Sequence, residues 1–297
     1  MASLKSLKIR KTSVQSSKKV THAMKLVSAS KLRKARETVE KSRNYMKIIN
    51  RILDHISKEM TEEEKQKVYK NFPLLFGRNS QKYLFIAIGS DRGLCGAFNN
   101  NVVKETKIGI AELLKENKQI LVLCIGERVY RELKDVTGVE VKQLTQQLKT
   151  IQEIKDFAKD LVAKFNKLEF DACKIYYTTF LSPIAQKVDS KTLIPLNKIV
   201  EEACISEDEK IMFECTPNRI LLLKDLITQI LDDTVFSILQ DTMASEHGAR
   251  MTAMDNATRN ANDMIESLTS EYNKKRQAAI TTELVEIISG AEVINKQ

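Results

Sequence analysis

Tyr83-Leu84-Phe85-Ile86-Ala87-Ile88-Gly89-Ser90-Asp91-Arg92-Gly93-Leu94-Cys95-Gly96 is the stretch that decides the fold. Six consecutive apolar residues run into a glycine-rich turn, the pattern of a strand buried on both faces, and such strands belong to parallel sheets covered by helices. The chain beyond it repeats the theme. Phe98 to about Glu116 reads as helix, Ile120 to Ile125 as a second apolar strand stopping at Gly126, and Glu127 to Lys134 as helix. Val139 to Leu144 reads as a third strand, Ile151 to Leu168 as helix, and Ala172 to Phe180 as strand. Strands alternating with helices of this length predict βαβ units in a mostly parallel, Rossmann-like α/β domain.

Outward from that core, both ends lack helix breakers. The four prolines, Pro73, Pro183, Pro195 and Pro217, all lie in the middle, and seven of the nine glycines fall between Gly77 and Gly138. Proline costs about 3 kcal/mol inside a helix, so the proline-free ends, rich in Ala, Leu, Met, Lys and Glu, predict two very long helices. The first runs from near Ser3 and frays around Ser57 to Glu64; the last starts near Pro217 or Asn218 and stops at Gly290. Leu32, Ala35, Val39, Ser42, Met46, Ile49, Leu53 and Ile56 alternate steps of three and four, a coiled-coil seam. Upstream the register slips, since Val20, Met24 and Val27 do not join it. Met254, Ala257, Ala261, Met264 and Leu268 form the matching seam, below a run of small residues (Ala244, Ser245, Gly248, Ala249) suited to close helix approach. The reading is a long antiparallel coiled coil of N- and C-terminal helices plus the central sheet domain. Its three segments are 1–60, 75–205 and 217–290.

Composition narrows the function. The net charge of +9 is concentrated, because residues 1–50 hold 14 Lys and Arg against Glu37 and Glu40, leaving 34 basic and 37 acidic residues in the rest. A basic helix suits an acidic protein environment or, by counterion release, nucleic acid; aromatic residues that stack on bases are absent before Tyr45. A basic, Ser-rich start also has the composition of a transit peptide, but the helical pattern continues through it. No apolar run approaches the roughly 20 residues of a membrane span. Cys95, Cys124, Cys173, Cys204 and Cys215 are odd in number and never spaced as CxxC, so free, packed thiols are expected.

Catalytic chemistry has little support. Gly93-Leu94-Cys95-Gly96 stands where phosphate-binding loops stand, after a strand and before a helix, yet it lacks both the GxGxxG spacing and a following Lys-Ser/Thr pair. Asp91 would repel a phosphate. A structural turn is the expectation. No nucleophile, acid–base or metal-ligand set can be assembled, so no catalytic, cofactor or metal residues are expected.

Three blocks resemble a known family: Lys18 to Leu32 (KKVTHAMKLVSASKL), Asp91 to Asn99 (DRGLCGAFN), and Ser245 to Met254 (SEHGARMTAM) continuing through Tyr272-Asn273 and Arg276 to Thr281 to Ser289-Gly290-Ala291. In that order and over nearly the full length, they resemble the gamma subunit of F-type ATP synthase, bacterial in type and most similar to alphaproteobacterial members. The resemblance implies a non-catalytic central-stalk rotor that couples turning of a membrane ring of proton-carrying subunits to sequential conformational changes in the catalytic beta subunits. It implies as partners a ring of three alpha and three beta subunits, the epsilon subunit and the carrier ring, with no nucleic acid and membrane contact only through partners. Residue by residue, it assigns Met24, Arg276, Gln277, Thr281 and Glu283 to the beta subunits, and Phe213 and Glu214 to the carrier ring and epsilon. The implied location is peripheral, on the cytoplasmic face of the bacterial inner membrane or, for a processed mitochondrial chain, on the matrix face. The opening MASLKSLK looks bacterial. His22 stands where the family commonly has lysine, and no inserted cysteine pair resembling the chloroplast redox switch is present, so thiol regulation is not expected. A nucleic-acid-binding coiled-coil arm and a small-ligand enzyme built on the sheet domain are the alternatives from other classes.

Overall fold

A computed structural model describes residues 3–59, 73–78, 80–144, 148, 150–196 and 219–295. In chain order the elements are α1 (Leu4–Glu59), α2 (Pro73–Phe76), β1 (Lys82–Ile88), α3 (Phe98–Lys115), β2 (Gln119–Ile125), α4 (Glu127–Leu133), β3 (Glu140–Gln143), α5 (Ile151–Asn166), β4 (Ala172–Phe180), β5 (Gln186–Ile194) and α6 (Arg219–Asn295). Residues 29–250 form one compact unit, and residues 1–28 with 251–297 form another.

In the larger unit the strands lie in the order β3-β2-β1-β4-β5, with the first four parallel and β5 antiparallel to β4. The register pairs Phe85 with Val122 and Ile86 with Ile175. Side chains alternate across a strand, so β1 supplies two cores. Leu84, Ile86 and Ile88 point with Cys173 and Ile175 into one, where α5 contributes Ile154, Phe157, Leu161 and Phe165, and α6 contributes Ile227, Ile230, Leu231, Val235, Ile238 and Leu239. Ile49 of α1 joins them. Phe85 and Ala87 face the other way, with Val122, Cys124 and Tyr176, under α3 and α4. Close approach of α3 depends on Gly109, where a Cβ would stand 1.9 Å from the Tyr176 hydroxyl.

Local sequence starts α5 cleanly. Thr150 Oγ1 accepts the Glu153 N–H at 3.2 Å, and the Glu153 carboxylate accepts the Thr150 N–H at 2.8 Å, a reciprocal capping box. Behind it Ile154, Phe157, Ala158, Leu161 and Phe165 make the stripe that α5 buries.

The antiparallel strand β5 escapes the sequence reading. Gln186-Lys187-Val188-Asp189-Ser190-Lys191 is mostly polar, and only Leu193 and Ile194 at its end are fully buried. An edge strand has one solvated side and is often protected by charge, so it carries no apolar run to find. The mostly parallel sheet expected from the βαβ pattern is present, with this strand added.

In the smaller unit the two terminal helices pack together and run antiparallel. The hydroxyls of Thr21 and Thr258 meet at 2.8 Å, and four residues further along α1 Lys25 Nζ donates to Asp255 Oδ1 at 2.6 Å, three residues back along α6. Here the seam differs from expectation. Leu7 and Ser28 are buried, and Lys11, Val14, Lys18, Thr21 and Lys25 between them are half-buried, while Val20 and Val27 are exposed. The steps of three and four therefore hold; hydrophobicity slips, not register. On α6 the buried line passes through Met254, Thr258 and Leu268, and Met264 is 44 % exposed. Thr258 takes a seam position because its hydroxyl is satisfied, 2.7 Å from the Met254 carbonyl as well as touching Thr21.

In the larger unit the seam residues Leu32, Ala35, Val39, Ser42 and Ile49 are all buried as the spacing predicts, and Gln229 Nε2 donates to the Tyr45 hydroxyl. The C-terminal helix continues through Gly290 to Asn295 rather than stopping there, since a lone glycine costs a helix only about 1 kcal/mol and does not break it. Its expected start at Pro217 or Asn218 lies outside the described residues, as do Cys204, Phe213, Glu214 and Cys215.

Two substitutions test this packing. Thr150→Ala removes the α5 cap and lowers stability by about 1 kcal/mol in urea unfolding. Leu231→Ala opens the core shared by sheet and α6 and costs about 2–5 kcal/mol.

Candidate functional site

A doubly wound sheet offers ligands one favoured place, the crevice at the carboxyl ends of two adjacent strands where the strand order reverses. Here it lies between β1 and β4. The chain goes from β1 outward to β2 and β3, then returns through α5 to set β4 on the other edge of β1. That crevice is filled by α6 itself. Ser245 Oγ donates to the Thr178 carbonyl at 3.1 Å. Gly248 faces Phe180 and Pro183, and its Cβ position is 3.4 Å from each. Ala249 clusters with Cys95 and Phe98. Arg250, 9 % exposed, donates from Nε to the Gly93 carbonyl at 3.3 Å and from Nη2 to the Arg92 carbonyl at 3.1 Å, while Nη1 pairs with Glu246 Oε1 at 2.7 Å.

The loop between β1 and α3 is braced from within. Asn99 Oδ1 accepts the Ser90 N–H at 2.9 Å, Asn99 Nδ2 donates to Cys95 Sγ at 3.3 Å, and Ser90 Oγ donates to the Arg92 carbonyl at 2.7 Å. Asp91 Oδ1 accepts the Glu127 N–H at 3.3 Å, so the loop brings its own negative charge to the start of α4. Gly93-Leu94-Cys95-Gly96 is thus a structural turn docked on α6. Leu94 occupies the left-handed region at φ 63° with its side chain 59 % exposed.

Electrostatics follow burial. Desolvation raises the Glu246 carboxyl above its ordinary range, opposed by its partner Arg250. Burial lowers the His247 imidazole to about 4, helped by the positive charges of Arg250 and Lys31, and its buried Nδ1 has no hydrogen-bond partner among the described residues. Further along α6, burial and then the neighbouring Asp232 charge push Asp233 up to about 6. Cys95, Cys124 and Cys173 are free and buried, and burial pushes the Cys124 thiol up to about 12. Among the described residues no three His, Cys, Asp or Glu side chains come together as metal ligands, and no helix is long and apolar enough to cross a membrane.

The residues assigned by resemblance are not gathered into one site. Met24 is half-buried on α1, next to Lys25 and its partner Asp255. Arg276, Gln277, Thr281 and Glu283 are exposed on α6 about 20 residues beyond Asp255, some 30 Å of helix. Thr281 Oγ1 donates to the Gln277 carbonyl at 2.9 Å. From Ile280 to Ser289 every residue is exposed, including Ile280, Leu284, Val285, Ile287 and Ile288, each 47–67 % uncovered. Sequence reasoning passed over Arg250 and misread its neighbours. The small residues Ser245, Gly248 and Ala249 suggested helix against helix, whereas they meet the strand ends and loops of the sheet. The available signal was their position at the level of a switch point, which needs the sheet order to be seen.

A sequence profile of the ATP synthase family matches residues 3–294. The chain is 40 % identical over 298 aligned residues to the ATP synthase gamma chain of Pelagibacter ubique, covering 98 % of this chain and 99 % of that one. It is 38 % identical to that of Paramagnetospirillum magneticum, covering 99 % and 100 %. Its fold is similar to a chain of the Euglena gracilis mitochondrial ATP synthase OSCP/F1/c-ring structure, with a TM-score of 0.64, 20 % identity, and coverage of 97 % of this chain and 94 % of that one. It is also similar to one in the central stalk/c-ring structure from Tetrahymena thermophila, with a TM-score of 0.55, 21 % identity, and coverage of 80 % and 99 %.

His247 and Asp233 have opposite effects on stability below neutral pH. The unfolded chain protonates His247 near 6.5 and the folded chain only near 4, so its contribution is complete above 6.5 and is lost as pH falls toward 4. Asp233 keeps its proton up to about 6 when folded but loses it near 3.8 when unfolded, so its contribution is lost as pH rises across that span. Urea midpoints at pH 7 and pH 5 will fall less on acidification in His247→Gln than in the unsubstituted chain, and more in Asp233→Asn.

Proposed function

We propose a function for this chain from one premise: it belongs to the ATP synthase gamma-chain family. On that premise it is the non-catalytic rotor of the central stalk, coupling proton-driven turning of a membrane ring to sequential conformational changes in the beta subunits. Segments 1–60 and 217–290 serve as the shaft and 75–205 as the sheet domain. The observation that carries the reading is the end of α6. A helix exposed on every side, with five large apolar residues among ten, leaves apolar surface in water at about 25 cal/mol per Å², and a surrounding sleeve of partner protein removes that cost.

The mechanism requires no bond chemistry in this chain. A shaft that touches each beta subunit differently at each angle favours one of its conformations and so shifts that site's nucleotide affinity; equal contact with every state shifts nothing. Arg276, Gln277, Thr281 and Glu283 make that contact on α6, just before and within the exposed apolar stretch, and Met24 makes it on α1. The family resemblance assigns Phe213 and Glu214, which lie outside the described residues, to the carrier ring and epsilon. The basic first helix turns toward acidic surfaces of the alpha and beta ring; Glu37 and Glu40 are paired with Arg33 and Arg36 on its own exposed face. The protein is peripheral, held by its partners at the cytoplasmic face of a bacterial inner membrane or the matrix face of a mitochondrial one.

The test is co-expression with alpha and beta subunits of a close relative. One copy per three alpha and three beta subunits is expected in the purified complex, with turnover lost when residues beyond Glu271 are deleted. Gln277→Ala is expected to lower coupled ATP turnover about tenfold, equivalent to ~1.4 kcal/mol, without changing helix content. A chain that stays out of the ring and instead binds DNA with a steep salt dependence would sink the rotor reading.

A further inference from the structure

A sheet with this strand order ordinarily receives a ligand between β1 and β4, and here Ser245, Gly248, Ala249 and Arg250 of α6 stand in that place. We propose that Arg250 is the positioning residue of a mechanical joint, its guanidinium fastening the β1–α3 loop to α6 so that force on the sheet domain reaches the helix without being lost in loop motion.

Three observations support it. The fork meets two backbone carbonyls and one carboxylate at once, which a lysine's single ammonium cannot reproduce. Glu246, four residues earlier on the same helix, holds the guanidinium from the α6 side, so the fork is oriented before the loop is added. The loop carries a left-handed residue, Leu94, and the Ser90–Asn99–Cys95 hydrogen bonds tie its geometry to the start of α3. Water has little access, since Arg250 is 9 % and Cys95 2 % exposed. Removing the guanidinium leaves the Gly93 carbonyl and Glu246 to find new partners, while the Arg92 carbonyl keeps the Ser90 hydroxyl, and the loop loses its tie to α6.

Cys95 reports on that movement. In the full-length chain carrying Cys204→Ser and Cys215→Ser, Arg250→Gln is expected to speed maleimide labelling of Cys95 at least tenfold while Cys124 and Cys173, inside the sheet, stay protected. Arg250→Lys should recover part of the protection. Glu246→Gln, which keeps the fork but loosens its hold, should shift labelling the same way by less, and it serves if Arg250→Gln exposes all three thiols. Cys95 labelling unchanged in both variants overturns the joint. The second readout rests on the rotor reading: in the complete complex Arg250→Gln should lower the ratio of proton-driven synthesis to uncoupled hydrolysis about tenfold, and an unchanged ratio with a loosened loop overturns the transmitting role. Failure of the unsubstituted chain to enter the complex would count against the rotor reading alone, since the labelling result does not depend on it.

Discussion

The sheet domain depends on the apolar face of α6 between Ile227 and Leu239. β1 needs cover on both faces, and α3 and α4 supply only one. On the other, α5 shares the work with α6, whose Ile230, Leu231 and Val235 are at most 1 % exposed against Ile86 and Ile175. A parallel sheet with one bare face would leave its most apolar strand in water, so the sheet and the part of α6 up to Arg250 belong to one compact unit. Once α6 lies along that face, its next turns reach the carboxyl ends of β1 and β4. The filled crevice follows from the same packing: a helix committed to covering the sheet occupies the place where a nucleotide would otherwise bind.

The packing between α1 and α6 is of a different kind. In the smaller unit the seam is partly polar, with Lys25 paired to Asp255 and Thr21 to Thr258. A partly solvated ion pair contributes modestly, and a hydrogen bond between two hydroxyls contributes about 1 kcal/mol. Such a seam specifies register better than it supplies stability, since a one-residue slide separates each pair. In the larger unit, where Leu32, Ala35, Val39 and Ile49 line the seam of α1 beside Ser42, that seam is mostly apolar.

Much of this was legible in the residues, and the exceptions share a cause. β1, β2, β4 and the helices between them announce themselves through apolar runs and periodicity. β5 does not, because an edge strand buries little. Met264 and Ala257 matched the pattern, but their neighbours Ile265 and Thr258 are the more buried residues, and Thr258 is buried because its hydroxyl bonds back to the Met254 carbonyl. Lys11, Lys18 and Lys25 hid a continuing heptad, since they are half-buried at its positions while their charges keep those positions from reading as apolar. Family resemblance assigned Arg276, Gln277, Thr281 and Glu283 of α6 to partners, and the structure adds that these four side chains are exposed and that Ile280 to Ser289 have no cover from their own chain among the described residues.

The sequence by itself determined two proline-free helices, a glycine-punctuated α/β core between them and the family, because helix breakers, periodicity and apolar runs act within a few residues along the chain. Only the tertiary structure decided which ridge of α6 meets the sheet, that the ligand crevice is filled by Ser245 to Arg250, and that Arg250 reaches the carbonyls of Arg92 and Gly93. The Arg250 contacts join positions more than 150 residues apart through backbone atoms, and a backbone carbonyl leaves no mark in the choice of side chain.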